Sequence, residues 1–283
     1  MRLLRPVLSG KTACLVFSDD SRFSFLLEDT YWNTALLKNE FSYEPEISSF
    51  LEKIKDLDYA FIDLGANWGY WSVLVSSPHF GNKKTLAVEA SRGNFDMLQK
   101  NLQLNRGRFV AIRAAISDQS GVELKFSTGA HAGRHIIDPE EGYAESFEEV
   151  RSITIDDLLR EHKMSTDETV IVKLDVEGHE IQALRGFSTL HEREALIIYE
   201  DHGKEHKHQV TQFAMNDLGL SIYYLSLKEE GRLECQKIHK IEELSDIKTN
   251  PRIGYNFFAC RAESLFSTVL DSLLPPNRET PND

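Results

Sequence analysis

The chain has 283 residues, of which 41% are apolar and 27% charged, the balance of an ordinary soluble globular protein. Its formal net charge is −13, and no basic patch offsets it, which argues against a nucleic-acid partner because phosphates would be repelled. Cys14, Cys235 and Cys260 are too few and too scattered for a disulfide framework or a zinc knuckle, and they suit a reducing compartment. No segment approaches the roughly 18 apolar residues of a membrane span. Pro6 and Gly10 interrupt the basic start before it resembles a signal peptide, so a cytoplasmic location is expected.

In chain order, residues 14–28 read as a hairpin turning at Ser18-Asp19-Asp20-Ser21. Tyr43-Glu44-Pro45-Glu46 opens a helix with Ile47, Phe50, Leu51 and Ile54 at helical spacing, its proline costing no hydrogen bond in the first turn. Residues 1–55 are therefore expected to form a small cap. A main domain follows over residues 56–265, and residues 266–283 form a tail that frays from Pro275.

From Tyr59 the chain alternates. Strands are expected at Tyr59–Leu64, Thr85–Glu89, Phe109–Ile112, Thr169–Leu174 and Ala195–Tyr199, then at Ile222–Leu225 and Tyr255–Ala259. Helices are expected over Tyr70–Ser77, Asn94–Leu104 (Phe95, Leu98 and Leu102 on one face), from about Glu180, and over Val210–Leu218. Short continuous apolar strands between helices predict a doubly wound α/β fold, with a mostly parallel sheet covered on both faces. An insertion at residues 117–168 carries a strand pair, Val122–Phe126 and Arg151–Ile155, around a polar loop at about 128–149.

In such a sheet ligands bind at the carboxyl ends of the strands. The first of these ends is Asp63-Leu-Gly-Ala-Asn-Trp-Gly69, in which Gly65 permits a tight turn and Gly69 leaves room at a helix start. The pattern is G-x-N-x-G rather than G-x-G-x-x-G, which favours a cofactor without a pyrophosphate. Glu89 ends the next strand, where a carboxylate can accept bonds from both ribose hydroxyls, so the pair points to an adenosine-bearing ligand.

These motifs, with Val88-Glu-Ala-Ser…Asn94-Phe, Ala115-Ile-Ser-Asp118, Lys173-Leu-Asp-Val-Glu-Gly-His-Glu180, Tyr43-Glu-Pro-Glu46 and Tyr255-Asn-Phe-Phe, resemble the collinear motifs of FkbM-type methyltransferases over about residues 40–260. Ala90, where the family often has proline, and the bulky Trp68 and Trp71 depart from the pattern. The resemblance implies a class I, Rossmann-like methyltransferase fold with a seven-stranded sheet whose last strand is antiparallel. It also implies S-adenosylmethionine as cofactor and O-methylation of a hydroxyl on a carbohydrate or small secondary metabolite. By the same resemblance Gly65, Asn67 and Gly69 line the methionine part above Asp63, Glu89 holds the ribose, and Ala115 and Ile116 border the adenine. Asn94 either fixes the loop after the second strand or caps its helix.

Methylating an alcohol requires a general base within hydrogen-bond reach. Asp175 and Glu177, beyond the fourth strand, and Glu200 and His202, after the fifth, are the candidates. The same four form an oxygen-rich set of the kind Mg²⁺ prefers, a less favoured reading. The run His202-Gly-Lys-Glu-His206-Lys-His208 lacks the spacing of a zinc site and reads as a solvated loop. Lys173 is expected to pair with a neighbouring carboxylate, and Glu180 to sit in the first turn of its helix. His131, Arg134, His135 and Tyr143 in the insertion loop either touch substrate or form a polar lid. The rival readings are a nicotinamide-dependent oxidoreductase, against which the missing G-x-G-x-x-G speaks, and a non-catalytic cofactor-binding module.

Overall fold

The computed structural model describes residues 9–37, 43–127, 147–228 and 231–275. The first hairpin pairs β1 (Thr12–Val16) with β2 (Arg22–Leu26). A helical stretch from Thr30 to Leu37 follows, with Asp29 accepting the Trp32 N–H at 2.8 Å. Helix α1 (Pro45–Lys53) buries Ile47, Phe50 and Leu51, each contributing about 1.5–3 kcal/mol. The alternation then runs β3 (Ala60–Leu64), α2 (Tyr70–Val75), β4 (Thr85–Glu89), α3 (Arg92–Leu104) and β5 (Val110–Arg113). A separate small sheet contains β6 (Ala115–Ile116), β7 (Glu123–Ser127) and β8 (Phe147–Ile153) in the order β6-β8-β7. The chain continues through α4 (Ile155–Glu161), β9 (Val170–Leu174), α5 (Glu180–Arg185), β10 (Ala195–His202), α6 (Gln209–Gln212), β11 (Ser221–Leu227), β12 (Leu233–Ile238), β13 (Gly254–Cys260) and α7 (Leu265–Asp271).

The main sheet has the order β12-β11-β13-β10-β9-β3-β4-β5. Pairings from β5 through β4, β3 and β9 to β10 are parallel, and β13 inserts antiparallel between β10 and β11. Strands β3, β4 and β9 are buried at every position, as continuous apolar runs under helices should be. Side-chain alternation divides the core. Ile171, Leu196, Ile198 and Phe258 face a layer that includes Phe23, Trp32, Ile47 and Phe50, whereas Val172, Leu174, Ile197 and Phe257 face the opposite layer.

Four expectations need correction. The sheet has eight strands rather than seven, because Leu233–Ile238 adds an edge strand paired only with β11. Ile155 is not strand. Thr154 caps a helix there, its hydroxyl accepting the Asp157 N–H at 3.0 Å, while β8 begins earlier, at Phe147. Strand β10 runs past Tyr199 to His202 because β13 pairs with it through His202 and Gly254. The expected Val210–Leu218 helix is one α turn followed by a π turn over Phe213–Asp217. Residues 128–146, with His131, Arg134, His135 and Tyr143, lie outside the described residues, as do residues 276–283 of the expected tail, whereas the start of that tail is not frayed but part of α7, which buries Phe266 and Leu270.

Asn101 of α3 and Asn105, the residue that caps its C-terminus, attach the N-terminal hairpin. Asn101 accepts the Ser24 N–H at 2.7 Å and donates to the Ser24 carbonyl at 3.0 Å. Asn105 does the same for Arg22, at 2.9 and 2.7 Å. Four helical residues rise about 6 Å and two strand residues about 6.6 Å, so the two amides match alternate residues of the strand. They act as a substitute neighbouring strand for β2.

Candidate functional site

The loop after β3 is shaped by backbone contacts. Gly65 and Ala66 both donate to the Val88 carbonyl at 2.9 Å, and Asp175 donates to the Leu64 carbonyl at 3.0 Å. Gly65 has φ +80, and a Cβ there would collide with the Asp175 carbonyl, so glycine is required by both conformation and contact. Asn67 occupies the same left-handed region, with φ +55. Gly69, with φ +85, packs against the Leu98 side chain and is not on the cleft wall.

Beside this loop lies a cleft whose empty space, counted out into open solvent, is roughly 890 Å³. Asp63, Gly65, Asn67, Glu89, Asn94, Ala115, Ile116, Asp175 and Glu177 line it, so the structure brings together nine of the residues singled out from sequence. Gly69, Glu200 and His202 stand off its wall.

Glu89 is buried, and its two oxygens accept the N–H groups of Asn67 and Ser91, each at 2.8 Å. Its carboxylate is thereby fixed at the end of β4, facing the loop. Asn67 Oδ1 accepts from Trp68 N at 2.8 Å and from Trp32 Nε1 at 3.1 Å, tying the loop to the N-terminal segment. Asn94 does not cap its helix. Ser91 is the cap, and Asn94 accepts the Trp68 indole N–H at 3.2 Å.

The strand register aligns a polar row. Asp63 lies opposite Lys173, Lys173 opposite Ile198, and Glu200, two residues on, opposite Asn256. Period-two alternation places all of them on the face that the N-terminal segment covers. Asp63 accepts the Ser72 hydroxyl at 2.6 Å, and burial raises it to about 6 against the pull of Lys173. Lys173 Nζ is 3.2 Å from Asp175 Oδ2 and 3.7 Å from Glu44 Oε2, the pairing expected of it. Burial disfavours this ammonium, but Glu44, Asp175, Asp63 and Glu200 together hold it well above the usual lysine range.

Glu177, with φ +52, is raised to about 7 by burial and then by Asp175 and Glu180. Glu180 opens α5 and accepts the Gly178 N–H at 3.0 Å. Burial, followed by Asp175 and Glu44, holds Glu200 well above the carboxylate range. His202 is half-buried, with Nδ1 accepting the Lys204 N–H at 3.2 Å.

The four residues weighed for a divalent cation do not converge, since no three of them bring ligand atoms within 4.8 Å of one another. Among the described residues that grouping occurs only at Asp201, Glu205 and His208. There the buried Lys248 ammonium donates to Asp201 Oδ1, to the Glu205 carbonyl at 2.7 Å and, in the tautomer that accepts, to His208 Nδ1 at 2.8 Å. A cation is already built in.

Of the aromatic wall the sequence marked only Tyr43, within a motif, and Trp71, as a bulky departure from the family pattern. Tyr31, Trp32, Tyr43, Tyr70, Trp71 and Phe126 also line the cleft, and the Tyr31 and Tyr43 hydroxyls are 2.6 Å apart. Glu44 was noted only as part of a motif, yet it accepts the Trp71 indole N–H at 2.7 Å and the Asn256 amide at 3.1 Å. Its φ of +43 is unusual for a glutamate and marks a constrained turn.

Strand order and a glycine loop facing a strand-end glutamate define a class I, Rossmann-like methyltransferase architecture. The model of the methyltransferase FkbM domain matches residues 63–219, more than half of the chain, and the protein belongs to that family. It is similar to the hexuronic acid methyltransferase AglP of Haloferax volcanii, with 25% identity over 193 residues that cover 68% of this chain and 74% of the relative. Among solved structures it is similar to the methyltransferase FkbM of Methylobacillus flagellatus KT, with TM-score 0.44 and 15% identity. That alignment covers 71% of this chain and 43% of the other, so the chain spans less than half of that protein. An O-methyltransferase from Bacillus cereus in complex with SAH gives TM-score 0.42 and 10% identity, covering 91% of this chain and 94% of the other. Family membership leaves the nicotinamide-dependent alternative without support.

Proposed function

We propose that this chain binds S-adenosylmethionine in the cleft and methylates a hydroxyl of a carbohydrate or similar small polyol. The observation that carries the reading is that Glu89 and the Asp175–Glu177 pair line one cleft, a fixed carboxylate on one side and candidate bases on the other. The residues fit the cofactor. Gly65 keeps the loop free of a side chain, Glu89 offers lone pairs to ribose hydroxyls, and Ala115, Ile116 and Phe126 offer apolar surface to an adenine. Asp63, Gly65 and Asn67 would hold the methionine part, with Gly69 shaping the loop from behind and Asn94 fixing Trp68. When bound, the cofactor supplies an activated methyl group, which leaves the protein to orient the acceptor and remove its proton.

Glu177 is the preferred base. It lines the cleft, and at about 7 its proton affinity suits exchange near neutral pH. Asp175, held by Lys173, positions the acceptor beside it. Glu200 and His202, off the wall, are assigned supporting roles. The carbohydrate class is supported by the name of the Haloferax relative.

Turnover of Asp175→Asn, Glu177→Gln, Glu200→Gln and His202→Ala, read as release of demethylated cofactor with hexoside acceptors, tests this assignment. Glu177→Gln should lose about 10²–10⁴-fold in kcat, the span of general base catalysis, and His202→Ala only a few-fold. In the parent enzyme the rate should rise with pH through about 7, as Glu177 loses its proton. Full turnover by all four variants would remove every candidate base.

A further inference from the structure

Lys173 lies between two acids. Asp63 is directly opposite it on β3, and Asp175 follows two residues along its own chain, about 6.6 Å on at strand spacing. The ammonium reaches along the chain, to Asp175 Oδ2 at 3.2 Å. At that end stands Glu44, brought by the N-terminal segment, with Oε2 3.7 Å from the ammonium. Two donors fix the Glu44 carboxylate. Trp71 Nε1 donates at 2.7 Å to the same Oε2, and the Asn256 amide donates at 3.1 Å to Oε1. That amide also donates to Glu46 Oε1 at 2.8 Å, so both acids of the turn are tied to β13. Glu44 is the N-cap of α1, yet its side chain makes no capping bond there. Its left-handed backbone, φ +43, persists because these bonds over-determine it.

The ammonium therefore has two alternative partners, and Glu44 decides between them. Burial disfavours its charge, and Glu44 opposes that more than Asp175, Asp63 or Glu200 does. With Glu44 made neutral, the attraction along the chain weakens while Asp63 remains opposite. We infer that Glu44 is a positioning residue of the methyl-transfer site, holding the Lys173 ammonium toward Asp175 rather than Asp63, so that Asp175 places the acceptor beside Glu177. Glu44 acts through Lys173, not on the acceptor. The inference rests on the assignment of Asp175 and Glu177 to methyl transfer.

The test is a pair of titrations in Glu44→Gln and in the parent, with the side-chain carboxyl carbons of Asp63 and Glu177 followed by ¹³C NMR. Asp63 faces Lys173, Asp175 and Glu44, whereas Glu177 faces Asp175, Glu180, Lys204 and Lys173. If the ammonium turns back, Asp63 should titrate about half a pH unit or more below its parental value of about 6. Glu177, deprived of that cation, should titrate about half a pH unit or more above about 7. General loosening of the N-terminal segment would relieve burial at both groups and lower both, so the opposite signs separate positioning from structure. In turnover with methyl hexosides, kcat should fall about ten-fold or more, while acceptor KM and the Kd for the demethylated cofactor each change less than about three-fold. Glu44→Asp, its charge one methylene farther away, should show the same signs at about half the amplitude, and it decides the matter if Glu44→Gln does not fold. Two carboxyl groups that fall together, or that both stay in place, overturn the inference. So does opposite movement with undiminished kcat. A parent protein that takes up no demethylated cofactor, or methylates no hexoside, brings down the methyl-transfer reading first and the inference with it.

Discussion

At the scale of single residues, burial sets the chemistry of the cleft. Glu177 and Asp63 are held at about 7 and about 6, against ordinary values of 4.5 and 3.8. The folded protein keeps protons there that the unfolded chain has released. The stability linked to these two groups is therefore fully present below their unfolded values and is lost as pH rises through about 6 to 7. Melting temperatures from pH 5 to 8 check this: the fall with rising pH should be shallower in Glu177→Gln than in the parent. An unchanged difference between the two proteins across that range would contradict it. Gly65, Asn67 and Glu89 were legible in sequence because a strand end, a turn and an acid recur at fixed spacing. Glu44 was not, because its importance comes from Lys173, Trp71 and Asn256, which lie on three other elements. Gly69 was given to the methionine part by the family resemblance, whereas packing against Leu98 is what requires it to be small.

At the scale of elements, the parallel strands were readable because burial on both faces makes them continuous apolar runs. The misses were elements whose sequence lacks that signature. Leu233–Ile238 alternates apolar and polar residues at the sheet edge, and Ile155 looks like strand until Thr154 is recognised as a cap. The stripe of α3 was legible through Leu98, which is fully buried with Phe95 and Leu102 packed beside it, but the buried positions also include Met97 and the amides Asn94 and Asn101. Asn101, and Asn105 at the end of the helix, have their partners in a hairpin 77 and 83 residues away, which no local pattern reveals. Removing one strands buried backbone groups, so Asn101→Ala should lower unfolding stability by about 2 kcal/mol or more. Hydrogen exchange should accelerate first over residues 12–26. A variant that keeps parental stability and protection there would show that the hairpin docks by its apolar side chains alone.

At the scale of the whole molecule, the N-terminal segment does more than extend the fold. Its hairpin, helical stretch and α1 cover one face of the sheet, and that cover brings Tyr31, Trp32, Tyr43 and Glu44 to the row Asp63, Lys173 and Glu200. The sheet class was legible from the order of strands and motifs. The aromatic wall of the cleft was not, because it forms only when that segment folds back over strands distant in sequence. No described helix is long and apolar enough to cross a membrane. The central claim is that the loop Asp63–Gly69 and Glu89 together make a site for S-adenosylmethionine. Titration calorimetry of the purified chain with S-adenosylhomocysteine tests it most directly. One site per chain is predicted, with a Kd on the order of micromolar, about −8 kcal/mol. The absence of binding heat at millimolar ligand, in protein that is folded by circular dichroism, would contradict the account.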